Sequence, residues 1–518
     1  MFCSSSYFPI FSGIEWLDEA DDVKLFYTSE LRKADSPNSS IIMGVKGLQA
    51  YVDQCCPDAL QHVNIKELAQ QHRHHYGNQA ILVIDGMSLL RKFYNPDIPW
   101  VYGGEWLEFF EKIQDFLETL KKADIKPVFI FDGVIEQSKR ATWLDRRKKE
   151  RRLMLQVFDH IKKTGQHPDH RLYHIPPCTS EGMMQALIHL GVEVIKSVIE
   201  ADKEVFRYYK KYRCFGVLSQ DSDFLIFDID HYFSSISLDL KTLRIKMYNK
   251  QVLCRHLGLH PSLLPLLACI LGNDTISQGC LTKFHHWVTR TPQDRKLKYQ
   301  TTVPCCAEYL ASLGIDVRST KAISDFEMDI FRQPGMEGVM QQVINDYTVL
   351  DDSQDAAKQS HHPKTSSSGQ LPQGDGNPHH QYNHPQSNKA REMMQLKTAQ
   401  LAKYHGILEI IKKKHTDSTY TGHIEQVLRF AETECSMSFE DDSDTNMPSA
   451  AVVLKPIRQR MYGLLFGVGF FGPRTDESNG TRDGLVVGIN AVHEYFAYAG
   501  NPLKDPDLVT AEPLDLPG

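Results

Sequence analysis

The sequence predicts an α/β protein: a mainly parallel sheet flanked by helices, then a disordered linker and a smaller C-terminal α+β region. Three observations carry this. Short apolar runs alternate with helical stretches between residues 43 and 290. Acidic residues stand where those runs end. A stretch over 351–391, dominated by Ser, Gln, His, Pro, Gly and Asn, separates the remainder.

In chain order, residues 1–42 lack a clear period and end in the turn-rich Asp35-Ser36-Pro37-Asn38-Ser39-Ser40, which predicts a loose extension. The globular domain is expected over 43–290. Within it, Ala80-Ile81-Leu82-Val83-Ile84 ends at Asp85, and Lys126-Pro127-Val128-Phe129-Ile130-Phe131 ends at Asp132-Gly133. Phe215-Gly216-Val217-Leu218 leads to Asp221. Apolar runs of this length read as buried parallel strands. Residues 105–122 and 181–195 have helical spacing, and the basic stretch 134–163 reads as a helix. A helical extension is expected over 291–350. After the linker, 392–435 reads as helical and 436–450 as an acidic loop. Val452-Val453-Leu454 and Leu485-Val486-Val487-Gly488-Ile489 are expected to pair as strands, which makes 392–505 the α+β region. Residues 506–518 are expected to be an unstructured tail.

Composition narrows the function classes. The 518 residues carry a formal net charge of −7, so any surface for nucleic acid must be local rather than global. Eleven cysteines, an odd number and without a CxxC pair, argue against a zinc ribbon and suit reduced thiols of the cytosol or nucleus. No segment is apolar enough to span a bilayer and no signal peptide is evident, so a soluble intracellular protein with no membrane partner is expected.

The acids carry the chemical argument. Asp85, Asp132, Asp221 and Asp223 follow predicted strand ends, where ligands of open α/β sheets collect. Glu200 and Asp202 open a helix, and Asp274 follows an apolar one. Two hard divalent ions held by such carboxylates can activate water and stabilise a leaving oxygen in phosphodiester hydrolysis. Any one of these acids, taken alone, reads better as a cap or turn residue; it is the set of seven, in order, that points to a metal site.

Met43-Gly44-Val45-Lys46-Gly47-Leu48 resembles the opening of flap endonucleases. Ile84-Asp85, Phe131-Asp132-Gly133, Glu200-Ala201-Asp202, Asp221-Ser222-Asp223 and Leu271-Gly272-Asn273-Asp274 are similar to that family's metal-binding blocks, in order, over residues 43–275. The resemblance implies a PIN-like, 5′-nuclease-like domain. It implies a two-metal Mg²⁺ or Mn²⁺ site at Asp85, Asp132, Glu200, Asp202, Asp221, Asp223 and Asp274. It also implies that Lys139 and Arg146 are basic gateway residues that contact the scissile phosphate. Two departures count against duplex or flap substrates. Thr275-Ile276-Ser277-Gln278-Gly279-Cys280 replaces a glycine-rich hairpin, and Arg91 stands where an aromatic would stack on a base, with Phe93 and Tyr94 nearby.

A narrower resemblance covers most of the chain. Residues 43–52, 64–69, 103–106, 266–269, 458–463 and 500–503 are similar to the family of the constitutive coactivator of peroxisome proliferator-activated receptor gamma. That resemblance implies a nuclear transcriptional coactivator that binds a nuclear receptor ligand-binding domain, with RNA binding in a related branch. The role expected is therefore coactivation on a nuclease-derived scaffold, in the nucleus before the cytoplasm, and without turnover. The alternatives are a metal-dependent nuclease and a non-catalytic binder of RNA or single strands.

Three motifs have competing readings. Arg146-Arg147-Lys148-Lys149-Glu150-Arg151-Arg152 can contact phosphates, serve as a nuclear localisation signal, or form a solvated helix face. Leu263-Leu264-Pro265-Leu266-Leu267 fits the LxxLL receptor box, but the run stays apolar through Leu271 and reads better as core. The linker histidines, such as His361 and His379, read as solvated.

Overall fold

The computed structural model describes residues 44–135, 140–198, 200–331, 336–348, 410–417, 422–434, 440–441, 444, 446–466, 491–496, 498, 501 and 506–513. The apolar runs become the centre of a seven-stranded sheet. Its strands are β1 (Leu60–Asn64), β2 (Ala80–Asp85), β3 (Ile125–Phe131), β4 (Glu193–Lys196), β5 (Gly216–Ser219), β6 (Tyr232–Ser234) and β7 (Arg244–Tyr248). Their spatial order is β1-β7-β6-β5-β2-β3-β4. Pairings from β6 to β4 are parallel, while β7 runs antiparallel to both β6 and β1.

Alternate residues of each strand feed opposite cores, because side chains of a strand point to alternate faces. Val128, Val83, Val217 and Tyr232 align across the sheet and enter one core. Phe129, Ile84, Leu218 and Phe233 align one residue along and enter the other. The first core is closed by α1 (Leu48–Cys55), α7 (Ala201–Tyr212), α8 (Lys250–Leu257), α9 (Leu264–Leu271), α10 (Gln278–Val288), α11 (Tyr299–Leu313), α12 (Thr320–Phe331) and α13 (Val339–Thr348). The second is closed by α2 (Ile65–Tyr76), α3 (Gly86–Phe93), α4 (Trp106–Lys122) and α6 (Thr179–His189). α4 shows why: Phe109, Ile113, Phe116 and Leu120 form one buried stripe at helical spacing. The long α5 (Arg140–Thr164) carries the basic run.

Several expectations change. The helical reading of 181–195 ends at His189. The chain turns at Gly191, whose φ of +73° favours glycine, and then forms edge strand β4. α11 to α13 share the first core with the strands, so 291–350 is not an appendage. Every residue of α9 is buried, which makes Leu263-Leu264-Pro265-Leu266-Leu267 a core segment rather than an exposed receptor box.

The C-terminal module contains α14 (Gly422–Phe430), β8 (Glu432–Glu434), α15 (Ala450–Val453), α16 (Lys455–Phe466), β9 (Ala491–Tyr495) and β10 (Asp507–Thr510). Its sheet runs β10-β9-β8, with β9 antiparallel to β10 and parallel to β8. Val452 and Val453 lie in α15, not in a strand, because the Ser449 hydroxyl caps the helix start at Ala451 N. β8 ends the stretch 392–435 that reads as helical, and β10 lies in the expected tail. Residues 1–42, 351–391 and Leu485 to Ile489 lie outside the described residues. The nine described cysteines are free thiols, and no single described helix is long and apolar enough to cross a membrane.

Candidate metal centre

The topology fixes where the acids gather. The chain builds β2, β3 and β4 in one direction, then returns to the other side of β2 to lay down β5 and β6. The carboxyl ends of β2 and β5 therefore flank a topological switch point, where open α/β sheets bind ligands. Asp85 ends β2, and Asp221 follows β5 by two residues.

Each acid is held by its own local structure. Asp85 caps α3 by accepting from Met87 N at 3.0 Å, and its other oxygen accepts from Ser219 Oγ at 2.7 Å. Asp221 accepts from Asp223 N at 2.9 Å, capping the short 3₁₀ turn Ser222–Leu225. Asp132 Oδ1 accepts from Ala201 N at 2.9 Å, which ties the end of β3 to the start of α7. That tie orients Asp202 in the first turn of α7, with Glu200 at its N-cap position.

The tightest group is Asp202, Asp221 and Asp223, whose carboxylate oxygens lie within 4.8 Å of one another. Burial, then the charges of Asp221 and Asp223, hold Asp202 well above the usual carboxylate range. Burial, then Asp223, does the same to Asp221. Asp85 is pushed up to about 7 by burial and then by Asp132. A dense set of hard oxygen donors, reluctant to ionise together, is the chemistry that suits a divalent cation.

Asp274 stands at the rim. Lys46 Nζ lies 3.4 Å and an Arg146 nitrogen 3.9 Å from its oxygens. Arg146 thus lies beside Asp274, and Lys139 lies outside the described residues. Arg91 is exposed at the surface. Its guanidinium lies 5.3 Å from the Tyr173 ring, and Phe93 and Tyr94 are fully buried. The basic run is not a uniformly solvated face either: Arg151 is buried and Arg147 pairs with Glu150 at 2.7 Å.

Two residues at the site escape sequence reasoning. Tyr347 of α13 is buried and donates its hydroxyl to Asp223 Oδ1 at 2.8 Å. Its spacing with Met340, Val343 and Ile344 disguises it as an ordinary core position. Gly44, in the opening segment, has φ +79° and packs so closely that a Cβ would run into Asp221 Oδ1. The positive φ leaves no trace in the sequence beyond the glycine itself.

The fold and the carboxylates together define a nuclease-like domain. Residues 191–274 match the XPG I-region family, and 257–350 match the FAM120A-like domain. The catalytic core of Rad2 in complex with DNA substrate aligns over 61% of this chain and 83% of its own, at 18% identity and a TM-score of 0.32. The bovine constitutive coactivator of peroxisome proliferator-activated receptor gamma is 33% identical over 513 residues, covering 92% of this chain and 71% of that protein. The human protein of the same name is 42% identical over 245 residues, 47% of this chain and 27% of that protein. The chain belongs to the family of the constitutive coactivator of peroxisome proliferator-activated receptor gamma.

Proposed function

We propose that this protein is a nuclear coactivator of nuclear receptors, of the peroxisome proliferator-activated receptor gamma type, built on a nuclease-like scaffold. The observation that carries this reading is the 33% identity through 513 residues to a relative of that name. The chain's own side chains also engage the acids, which gives the carboxylates a structural role whether or not a metal is bound. Tyr347 holds Asp223, and Lys46 and Arg146 face Asp274. The burial of α9 removes the one LxxLL sequence from receptor contact, so the receptor must meet another surface. Capture by a receptor ligand-binding domain, with and without hormone, tests the reading; no capture in either condition removes it.

The second reading is metal-dependent phosphodiester cleavage, favoured by the grouping of Asp202, Asp221 and Asp223. These three would hold Mg²⁺ or Mn²⁺, with Asp85, Asp132, Glu200 and Asp274 around them. The ion would supply an activated water and neutralise charge on a phosphate. Lys139 and Arg146 would polarise that phosphate. Cleavage of single-stranded, flap or RNA substrates, lost in Asp221→Asn/Asp223→Asn, would establish chemistry beside coactivation. No cleavage by the folded protein would leave the acids as architecture.

A further inference from the structure

The C-terminal module turns one side of α16 inward and leaves the other open. Leu454 N donates to Ala450 O at 2.9 Å and Arg458 N to Leu454 O at 3.2 Å, so the helical path runs from α15 through Leu454 into α16. The inner side is pinned. Tyr462 and Phe466 enter the module's core, and the Tyr462 hydroxyl donates to Glu494 Oε1 at 2.7 Å. Gly463 packs so closely on Glu512 that a Cβ would collide with its carbonyl oxygen. The module is in turn fastened to α5, where Arg140 pairs with Glu432 of β8 and lies 4.6 Å from the Tyr495 ring. The helix therefore cannot roll to bury its other side.

That other side is apolar too. At 3.6 residues per turn, Val453, Leu454, Ile457, Met461 and Leu464 fall within a sector of about 100°, opposite Tyr462, Gly463 and Phe466. Among the described residues these five stay 43–57% exposed. A helix with two apolar sides is ordinarily covered on both. Arg460 borders the stripe, and its guanidinium folds back onto Pro456 O at 3.4 Å, so the seam itself carries no charge.

The spacing identifies what fits. Leu454, Ile457, Met461 and Leu464 stand at steps of three, four and three, the seam of paired helices. That series reads the same in both chain directions. A second copy laid antiparallel across a two-fold axis would set Leu454 against Leu464, Ile457 against Met461 and Val453 against Leu465. Antiparallel helix dipoles add a favourable term. Each stripe offers roughly 450 Å² of open apolar surface, so two together bring about 900 Å², the size of a weak, reversible interface.

We propose that this stripe is a self-association surface, through which two copies of the chain form a reversible antiparallel helix pair. The proposal rests on neither receptor binding nor metal chemistry. Sedimentation velocity of the full chain over about 1–100 µM tests it, with a dimer Kd on the order of 10 µM expected. Ile457→Glu and Met461→Lys, each at an exposed position, should weaken the dimer at least about thirtyfold when run alone. An equimolar mixture of the two should return to within about threefold of wild type, because antiparallel pairing sets position 457 of one copy against position 461 of the other. Leu107→Glu, at a 73% exposed apolar residue of α4, should change nothing. A wild type that stays monomeric, as it would if another part of the chain or a different protein covers the stripe, overturns the proposal. So does a dimer that both single variants leave intact, a mixture that remains monomeric, or an equal loss from Leu107→Glu.

Discussion

Asp221→Asn is expected to stabilise the metal-free protein at alkaline pH. Ionised carboxylates with oxygens within 4.8 Å repel by about 3 kcal/mol per pair at an effective dielectric near 20. Three such pairs would total roughly 10 kcal/mol, against a whole folding stability of roughly 5–15 kcal/mol. The acids therefore keep protons that the unfolded chain has released. For Asp85, with a folded value of about 7 against an ordinary 3.8, the stabilising protonated form is fully present below about pH 4 and lost as pH rises through 7. The substituted amide would keep the cap on Asp223 N, because its oxygen accepts as a carboxylate does. It removes two of the three repulsive pairs. Because wild type already relieves part of the repulsion by holding protons, the gain is on the order of 2–3 kcal/mol, or about 5 °C or more in Tm. Thermal unfolding in chelator at pH 5 and pH 8 measures it, and wild type should lose more stability between the two than the variant. Saturating Mn²⁺ should then raise wild type by about 2.7 kcal/mol at a hundredfold excess over Kd, and the variant by much less. A variant no more stable than wild type in chelator, with an equal response to Mn²⁺, would refute the reasoning.

Four further outcomes are expected. Tyr347→Phe should weaken Mn²⁺ binding about tenfold by titration calorimetry, because the phenol that orients Asp223 and favours its charged form is gone. Gly44→Ala should cost at least about 1–3 kcal/mol in denaturant unfolding, through both the positive φ and the collision with Asp221. Leu267→Ala should cost about 2–5 kcal/mol, and any loss of receptor capture should follow the unfolded fraction. Arg458→Ala should cost the C-terminal module about 3–5 kcal/mol, since Glu494, 1% exposed, loses both guanidinium bonds; proteolysis within 446–513 should rise while the α/β core stays resistant.

The strands that the sequence reveals are those buried on both faces. β2, β3 and β5 are almost wholly apolar because two cores press on them. β1, with Gln61 and His62 exposed, and β4, with Glu193 and Lys196 at its ends, lie on the sheet edges and show no such run. Val452 and Val453 mislead in the other direction. They are β-branched, yet Ser449 starts a helix ahead of them and local capping overrides propensity. At the site, Asp85, Asp132 and Asp221 are legible because a strand end is visible in the sequence and topology does the rest. Tyr347 is not, since 124 residues separate it from Asp223 and its helix reads as plain core. The Arg140–Glu432 contact spans 292 residues and has no local signature at all.

The bond from Tyr347 to Asp223 has a consequence for inheritance. It joins the last helix of the FAM120A-like region to an acid laid down by the XPG I-region, so the two segments constrain each other. A descendant that abandoned metal chemistry would still be penalised for discarding Asp223, because α13 would lose the acceptor for a buried phenol. Loss of that carboxylate would therefore cost the fold whether or not a metal is bound. Asp85 and Asp132, which cap α3 and tie β3 to α7, carry the same structural cost.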